Sequence, residues 1–130
     1  MTGQLAPAQS GLVEEFQAQG SSVQTTFSAH GQPFVVLPGF EVISGRFAGR
    51  TVDLAVEVQP DGGVGAALHV RAEPNLLALG PPGQQTNGYH VIQSALGPDW
   101  QYWSFNLMAM WPSRRAGDLI PIFNGVLDRA

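Results

Sequence analysis

Apolar and polar residues alternate with a period of two along much of the first half of the chain. The alternation begins at residues 23–27, gives way to an apolar run at residues 34–37 and is clearest at residues 51–58. A period of two is the pattern of a β-strand with one buried face. Residues 60–63, Pro-Asp-Gly-Gly, suit a tight reversal, and residues 67–71 then return as the next strand. An antiparallel meander is therefore predicted.

A spacing of three and four residues replaces this alternation near both ends of the chain. Residues 12–16 carry a short apolar stripe, for which Ser10 offers an N-cap oxygen. Residues 119–127 carry a longer stripe, with Asp118 as the expected cap and Pro121 in the expected first turn. The sequence thus predicts a helix before the meander and another after it.

The predicted fold class is α+β, with a four-stranded antiparallel meander flanked by an N-terminal and a C-terminal helix. Residues 1–10 are small and polar and are expected to form a flexible tail, which leaves residues 11–130 as one domain. Residues 74–98 are rich in proline and glycine and predict a long irregular segment, a kind of loop that often carries function. Because 44% of residues are hydrophobic and 12% are charged, the chain belongs with globular rather than disordered proteins.

Charge and cysteine content remove several classes of function. Ten acidic and six basic residues give a net charge of −4, and no basic face is expected for nucleic acid. All six basic residues are arginine, so the chain has no lysine. There is no cysteine, and three scattered histidines lack ligand spacing, so neither a metal nor another cofactor is expected. No signal peptide and no apolar run of membrane-spanning length is visible, which predicts a cytoplasmic protein that does not bind membranes.

Four segments resemble the ubiquitin-conjugating (E2/UBC) superfamily, and most closely the bacterial group called prokaryotic E2 family E. They are residues 37–40 (LPGF), 52–60 (VDLAVEVQP), 68–71 (LHVR) and 96–104 (LGPDWQYWS). The last is the most specific, because such a string seldom arises by chance. The resemblance covers residues 34–127 and implies a UBC/RWD-like fold. It also implies a ubiquitin-like protein, an E1/ThiF-like activating enzyme and a JAB-type peptidase as components of the same system.

The chain departs from the family at the catalytic centre. Typical E2 proteins have a His-Pro-Asn element followed by a cysteine, whereas residues 87–91 here read Asn-Gly-Tyr-His-Val and no thiol follows. A thioester carrier needs a thiolate, since no other side chain combines nucleophilicity at neutral pH with an exchangeable acyl bond. The predicted function is therefore a non-catalytic E2-like protein that binds a ubiquitin-like protein or its activating enzyme.

The resemblance places the functional edge at residues 80–104. Polar groups on this edge can hydrogen-bond a partner, and aromatic rings near it can add apolar contact area. Trp100 and Trp103 are expected to pack over the sheet instead, whereas for Trp111 a surface position and a core position are equally expected. The expected binding residues are Asn87, His90, Asp99, Tyr102 and Trp111.

Two alternatives remain at the level of sequence. In the first, the protein is an acyl-transfer or hydrolytic enzyme in which His90 activates Ser94 or a water molecule, with Asp99 as the one nearby carboxylate. In the second, the chain is a true E2 whose native cysteine has been replaced, and Ala95 is the first position to suspect.

Overall fold

The computed structural model describes residues 7–79, 90–104 and 106–130. Over these residues the fold is α+β, with one six-stranded antiparallel sheet and two helices. A short 3-10 turn, Leu107–Met110, precedes the second helix. The elements are α1 (Pro7–Ala18), β1 (Gln24–Phe27), β2 (Pro33–Glu41), β3 (Thr51–Glu57), β4 (Ala67–Arg71), β5 (His90–Ser94), β6 (Gly97–Ser104) and α2 (Ala116–Arg129).

The sheet has six strands where four were predicted. Its order is β1-β2-β3-β4-β6-β5, so the first four strands are sequential neighbours and the last two extend the sheet beyond β4. The reversal predicted at residues 60–63 is confirmed, since the Gln59 amide donates to the Gly63 carbonyl at 2.7 Å and Gly62 has a φ of 89°. This φ suits glycine, which has no Cβ to clash in the left-handed region.

The hairpin of β5 and β6 corrects the prediction that residues 74–98 are irregular throughout. Residues 90–94 and the start of β6 lie inside that range and are extended. Trp103 pairs with Leu68 of β4 on one side and with Val91 of β5 on the other, and all three side chains are fully buried. Burial of so large a ring is strongly favourable and aligns the hairpin with the sheet. The exposed residues Pro98 and Asp99 belong to β6 all the same, although their types are typical of loops.

The two faces of the sheet differ in what covers them. Side chains that alternate along the strands, such as Leu54, Leu68 and Trp103, share one apolar cluster with Phe16 of α1 and Phe123 of α2. The opposite side chains form a second, smaller cluster that contains no helix residue among the described residues. Both helices therefore pack on one face, which agrees with the predicted burial of Leu119 and Phe123.

The first helix begins earlier than predicted. The sequence indicates a start after Ser10, whereas α1 begins at Pro7, inside the range expected to be a tail. Proline suits a first helical position because its missing N–H has no partner there in any case. Leu12 and Phe16 are buried, four residues apart, as the apolar stripe predicts.

The start of α2 is set by a tertiary contact, and the prediction that Asp118 caps it is wrong. The helix begins at Ala116, whose amide donates to Oε1 of Glu15 in α1 at 3.0 Å. Asp118 lies in the first turn and accepts a hydrogen bond from the Ser113 hydroxyl. Pro121 is accordingly the sixth residue of the helix and lies beyond its first turn. Neither described helix is long and apolar enough to cross a membrane.

Candidate functional site on the open face

The sheet face turned away from the helices brings together most of the polar and aromatic side chains of interest. We call it the open face. Its floor comes from β2, β3 and β4, and the β5–β6 hairpin forms one side of it. Its principal side chains are Phe34, Val36, Ala55, His69, Arg71, Trp100 and Tyr102.

A buried histidine and a buried serine form the centre of this face. Nδ1 of His69 lies 2.7 Å from Oγ of Ser94, and each residue is only 4% exposed. The Leu96 amide donates to the same Oγ at 3.0 Å. With one oxygen lone pair occupied, the hydroxyl can donate its own hydrogen to Nδ1, which puts the imidazole proton on Nε2. The pair holds the tip of the β5–β6 hairpin against β4.

The surroundings of His69 favour a neutral imidazole. The rings of Phe34 and Tyr102 meet it edge to face, with centroids at 4.9 and 5.3 Å. Burial lowers the pKa of His69 from 6.5 to about 4, because desolvation penalises the charged form. Among the described residues no carboxylate hydrogen-bonds to this ring. The geometry thus provides a serine and a base, without the acidic group that orients the histidine of a catalytic triad.

The predicted partnership of His90 and Ser94 is replaced by that of His69 and Ser94. His90 and Ser94 begin and end β5, and four steps along a strand separate their backbones by about 13 Å. An imidazole and a hydroxyl cannot bridge that distance directly. The side chain of His90 lies outside the described part of the structure. His69 looks structural in the sequence because it stands between two core residues, and only the pairing of β4 with β6 and of β6 with β5 brings it near Ser94.

The other predicted binding residues are dispersed. Asp99 is exposed near the start of β6, and Tyr102 is half-buried beside His69. Trp111 is 3% exposed and donates from its indole nitrogen to a backbone carbonyl at 2.8 Å, so it packs in the core and offers no surface to a partner. Asn87 lies outside the described residues. Ala95 is exposed in the turn between β5 and β6.

Arg71 joins the aromatic and charged parts of the open face. Its guanidinium lies 4.6 Å from the centroid of the Trp100 ring and makes an ion pair with Asp53 at 2.8 Å. The other oxygen of Asp53 accepts the Gly39 amide at 2.9 Å. Trp100 is 7% exposed and Trp103 is fully buried, which confirms that both rings cover the sheet. The charge of Arg71 is therefore largely matched within the protein.

Two grooves meet at Arg71. The first, which we call the acidic groove, has a volume of about 490 Å³ and lies where β3 begins and β4 ends. Its charged and amide side chains are Asp53, Arg71, Glu73, Asn75 and Asp99. The second, which we call the β1 groove, has a volume of about 280 Å³, lies between β1 and the hairpin tip and exposes more polar than apolar surface. Its lining includes Gln24, Phe27, Val36, Leu96 and Trp100.

The described residues offer no evident site for a metal ion. The described residues contain no group of three or more histidine, aspartate or glutamate side chains placed to hold an ion.

Comparison with known proteins adds no family assignment, since no family model, curated protein or solved structure matches the chain significantly. Function is therefore inferred from the geometry of the open face and from the sequence resemblance.

Proposed function

We propose that this protein is a non-catalytic, cytoplasmic E2-like module of a bacterial ubiquitin-like modification system. In this proposal the chain has a UBC/RWD-like fold and binds a ubiquitin-like protein or an E1/ThiF-like activating enzyme. A JAB-type peptidase belongs to the same system. The order of a helix, an antiparallel meander, an aromatic segment and a C-terminal helix supports the proposal, together with the string LGPDWQYWS.

One observation carries the choice of binding over chemistry. The Ser94 hydroxyl, the nucleophile predicted for this region, is buried and engaged by His69 and by a backbone amide. Open grooves lie on the same face, with exposed carboxylates at their rim. A nucleophile has to reach its substrate, whereas a binding surface needs only accessible and complementary groups. The arrangement therefore favours recognition.

Residues of the β5–β6 hairpin are the proposed contacts. Asp99 offers an exposed carboxylate, and Tyr102 offers a half-buried ring with a polar tip. Calorimetry with a bacterial ubiquitin-like protein and with an E1/ThiF-like activating enzyme tests this assignment. If the hairpin is the contact, Tyr102→Ala or His90→Ala should weaken binding by at least about 2 kcal/mol while the fold is retained. Unchanged affinity in both variants would place the contact elsewhere, and α1 would be the next surface to test.

Catalysis is tested separately by intact mass. The chain is incubated with the charged activating enzyme and the ubiquitin-like protein, and no covalent adduct is expected. A hydroxylamine-sensitive adduct that maps to Ser94 and is lost in His69→Ala would overturn the non-catalytic proposal and support acyl transfer instead. This alternative is worth testing because the distance of 2.7 Å from Nδ1 to Oγ suits proton transfer.

The replaced-cysteine alternative has its own variant. Ala95 is exposed at the hairpin turn, so a thiol introduced there by Ala95→Cys would be accessible. The non-catalytic proposal predicts that the Ala95→Cys variant forms no thioester under the same conditions. The reason is that a cysteine reacts as its thiolate, and the proposal places no activating group beside position 95. A thioester that forms at position 95 at the rate of a working E2 would favour a lost cysteine.

A further inference from the structure

Within the described part of the chain, β5 is the last strand at one end of the sheet. The strand order is β1-β2-β3-β4-β6-β5, so β5 pairs with β6 on one side and with no described strand on the other. An edge strand carries a row of backbone N–H and C=O groups that can pair with another chain. The hydrogen bonds inside the sheet identify the residues that carry those groups.

The direction of each backbone group can be followed across the sheet from a known hydrogen bond. In a strand, the N–H and C=O of one residue point to the same neighbour, and those of the next residue point to the other side. The carbonyl of Glu57 accepts the Gly65 amide on the β4 side of β3 at 2.9 Å, so Ala55 also faces β4. Ala55 pairs with His69 of β4. Val70, the next residue of β4, therefore faces β6.

The same alternation continues through β6 to β5. The partner of that residue in β6 is Gln101, which faces back to β4, so Tyr102 faces β5. Tyr102 pairs with Ile92, whose N–H and C=O are directed to β6. The backbone groups of Val91 and Gln93, on either side of Ile92, consequently point away from the sheet.

The side chains of β5 suit pairing with another strand. Ile92 is 49% exposed and lies opposite Tyr102 on the open face. Natural edge strands are commonly protected by charged residues or by proline. β5 contains no proline, and no aspartate, glutamate, lysine or arginine occurs between residues 74 and 98. Pairing at this edge therefore meets no repelling charge from β5 and covers an exposed apolar side chain.

The opposite edge of the sheet, β1, is less suited to pairing. Its sequence is Gln-Thr-Thr-Phe, and Phe27 is half-buried, so β1 has no exposed large hydrophobic side chain. A strand added there would gain backbone hydrogen bonds and cover little apolar surface.

We infer that two copies of this chain pair through β5, in antiparallel register about a two-fold axis at Ile92. In this register Val91 of one copy lies opposite Gln93 of the other, so the outward N–H and C=O groups of both residues find partners in two reciprocal pairs. The two copies of Ile92 lie between them as a non-hydrogen-bonded pair, in which opposite side chains are closest. No other two-fold register places the exposed Ile92 side chains against each other.

The pairing extends the open face from one copy into the next. Because Tyr102 lies beside Ile92, the two open faces meet edge to edge in one continuous sheet. A single pair of short strands buries less than the roughly 1,200 Å² of a stable interface, so the dimer is weak, with a dissociation constant between about 10 μM and 1 mM. This inference does not depend on the proposed function.

Sedimentation velocity over that concentration range tests the dimer. Ile92→Lys should weaken it at least about fivefold, because two like charges then lie opposite each other. Thr25→Lys on β1 is the matched control, since it adds the same charge at an exposed edge position, and it should leave the dimer unchanged. A natural chain that stays monomeric at about 1 mM, or equal effects of the two variants, would overturn the inference.

Single-cysteine variants test the register, since the natural chain has no cysteine to interfere. Opposite residues of a non-hydrogen-bonded pair have Cα atoms about 4.5 Å apart, within the range that a disulfide spans. Ile92→Cys should therefore form a covalent dimer under mild oxidation. Gln93→Cys should not, because its two copies would lie about 9 Å apart.

Cross-linking also decides the matter if circular dichroism shows that Ile92→Lys is unfolded. Failure of folded Ile92→Cys to cross-link, or equally fast cross-linking of Gln93→Cys, would contradict pairing about Ile92. Neither result changes the expected outcome of the assays with the activating enzyme, so the two proposals fail separately.

Discussion

Acidification should destabilise this protein through a single buried histidine. Burial lowers the pKa of His69 to about 4 in the folded chain, against 6.5 for an ordinary histidine. Between these two values the unfolded chain binds a proton that the folded chain rejects, so stability falls as the pH falls. The stability that the neutral His69 contributes is fully present above about pH 6.5 and is lost progressively as the pH falls towards 4.

The size of the effect follows from the same two pKa values. Linkage gives a loss of about 1.4 kcal/mol in the free energy of unfolding at pH 5.5 and of about 2 kcal/mol at pH 5. These are large fractions of the stability of a small domain. The groups that meet the ring are the Phe34 and Tyr102 rings and the Ser94 hydroxyl, and none of them is a carboxylate or a basic group.

Urea unfolding followed by tryptophan fluorescence provides the assay, because all three tryptophans are buried. For the natural chain the free energy of unfolding should be about 1.4 kcal/mol lower at about pH 5.5 than at about pH 7.5. For His69→Phe the difference between the two pH values should be much smaller. A pH dependence that is the same in both proteins would refute the reasoning. If His69→Phe does not fold, an NMR titration of His69 decides, and a midpoint near 6.5 would be equally damaging.

Three further substitutions test the packing that supports the open face. Phe123→Ala should cost about 3–5 kcal/mol in the free energy of unfolding, because it opens a cavity beneath the sheet, and a loss below about 1 kcal/mol in urea titration would contradict its place in the core. Glu15→Ala should lower stability by about 1 kcal/mol by removing the acceptor for the first amide of α2, whereas Glu14→Ala, also exposed on α1, should change little. Gly45→Ala should lower the melting temperature more than Gly49→Ala does. Both glycines have positive φ, but a Cβ at Gly45 would lie 2.4 Å from a backbone oxygen of α2, while Gly49 has open space, so equal shifts would argue against this close approach.

Local pattern was sufficient for the first four strands and for the packing faces of both helices. The alternation at residues 51–58 reports which side chains face the core, because a strand has a fixed period of two. The apolar spacing of Leu119 and Phe123 does the same for α2. Such signals need no knowledge of the neighbours, since a single element carries the whole pattern.

The hairpin of β5 and β6 and the start of α2 were decided by contacts between distant parts of the chain. β6 contains Pro98 and Asp99, which are typical of loops, and becomes a strand because Trp103 is buried between its neighbours. The first turn of α2 is capped by Glu15, which is 101 residues away in the chain and cannot be recognised from the sequence around Asp118.

For the candidate site too, some features follow from the sequence and others only from the tertiary structure. The sequence alone excludes thiol chemistry and lysine modification of a side chain, because it contains neither cysteine nor lysine. It also makes Asp99 and Tyr102 candidates by their residue types. Only the tertiary structure joins Ser94 to His69, buries Trp111 and brings the two grooves together at Arg71. Composition and periodicity are properties of the chain, whereas the partner of a buried polar group depends on which strands become neighbours in the sheet.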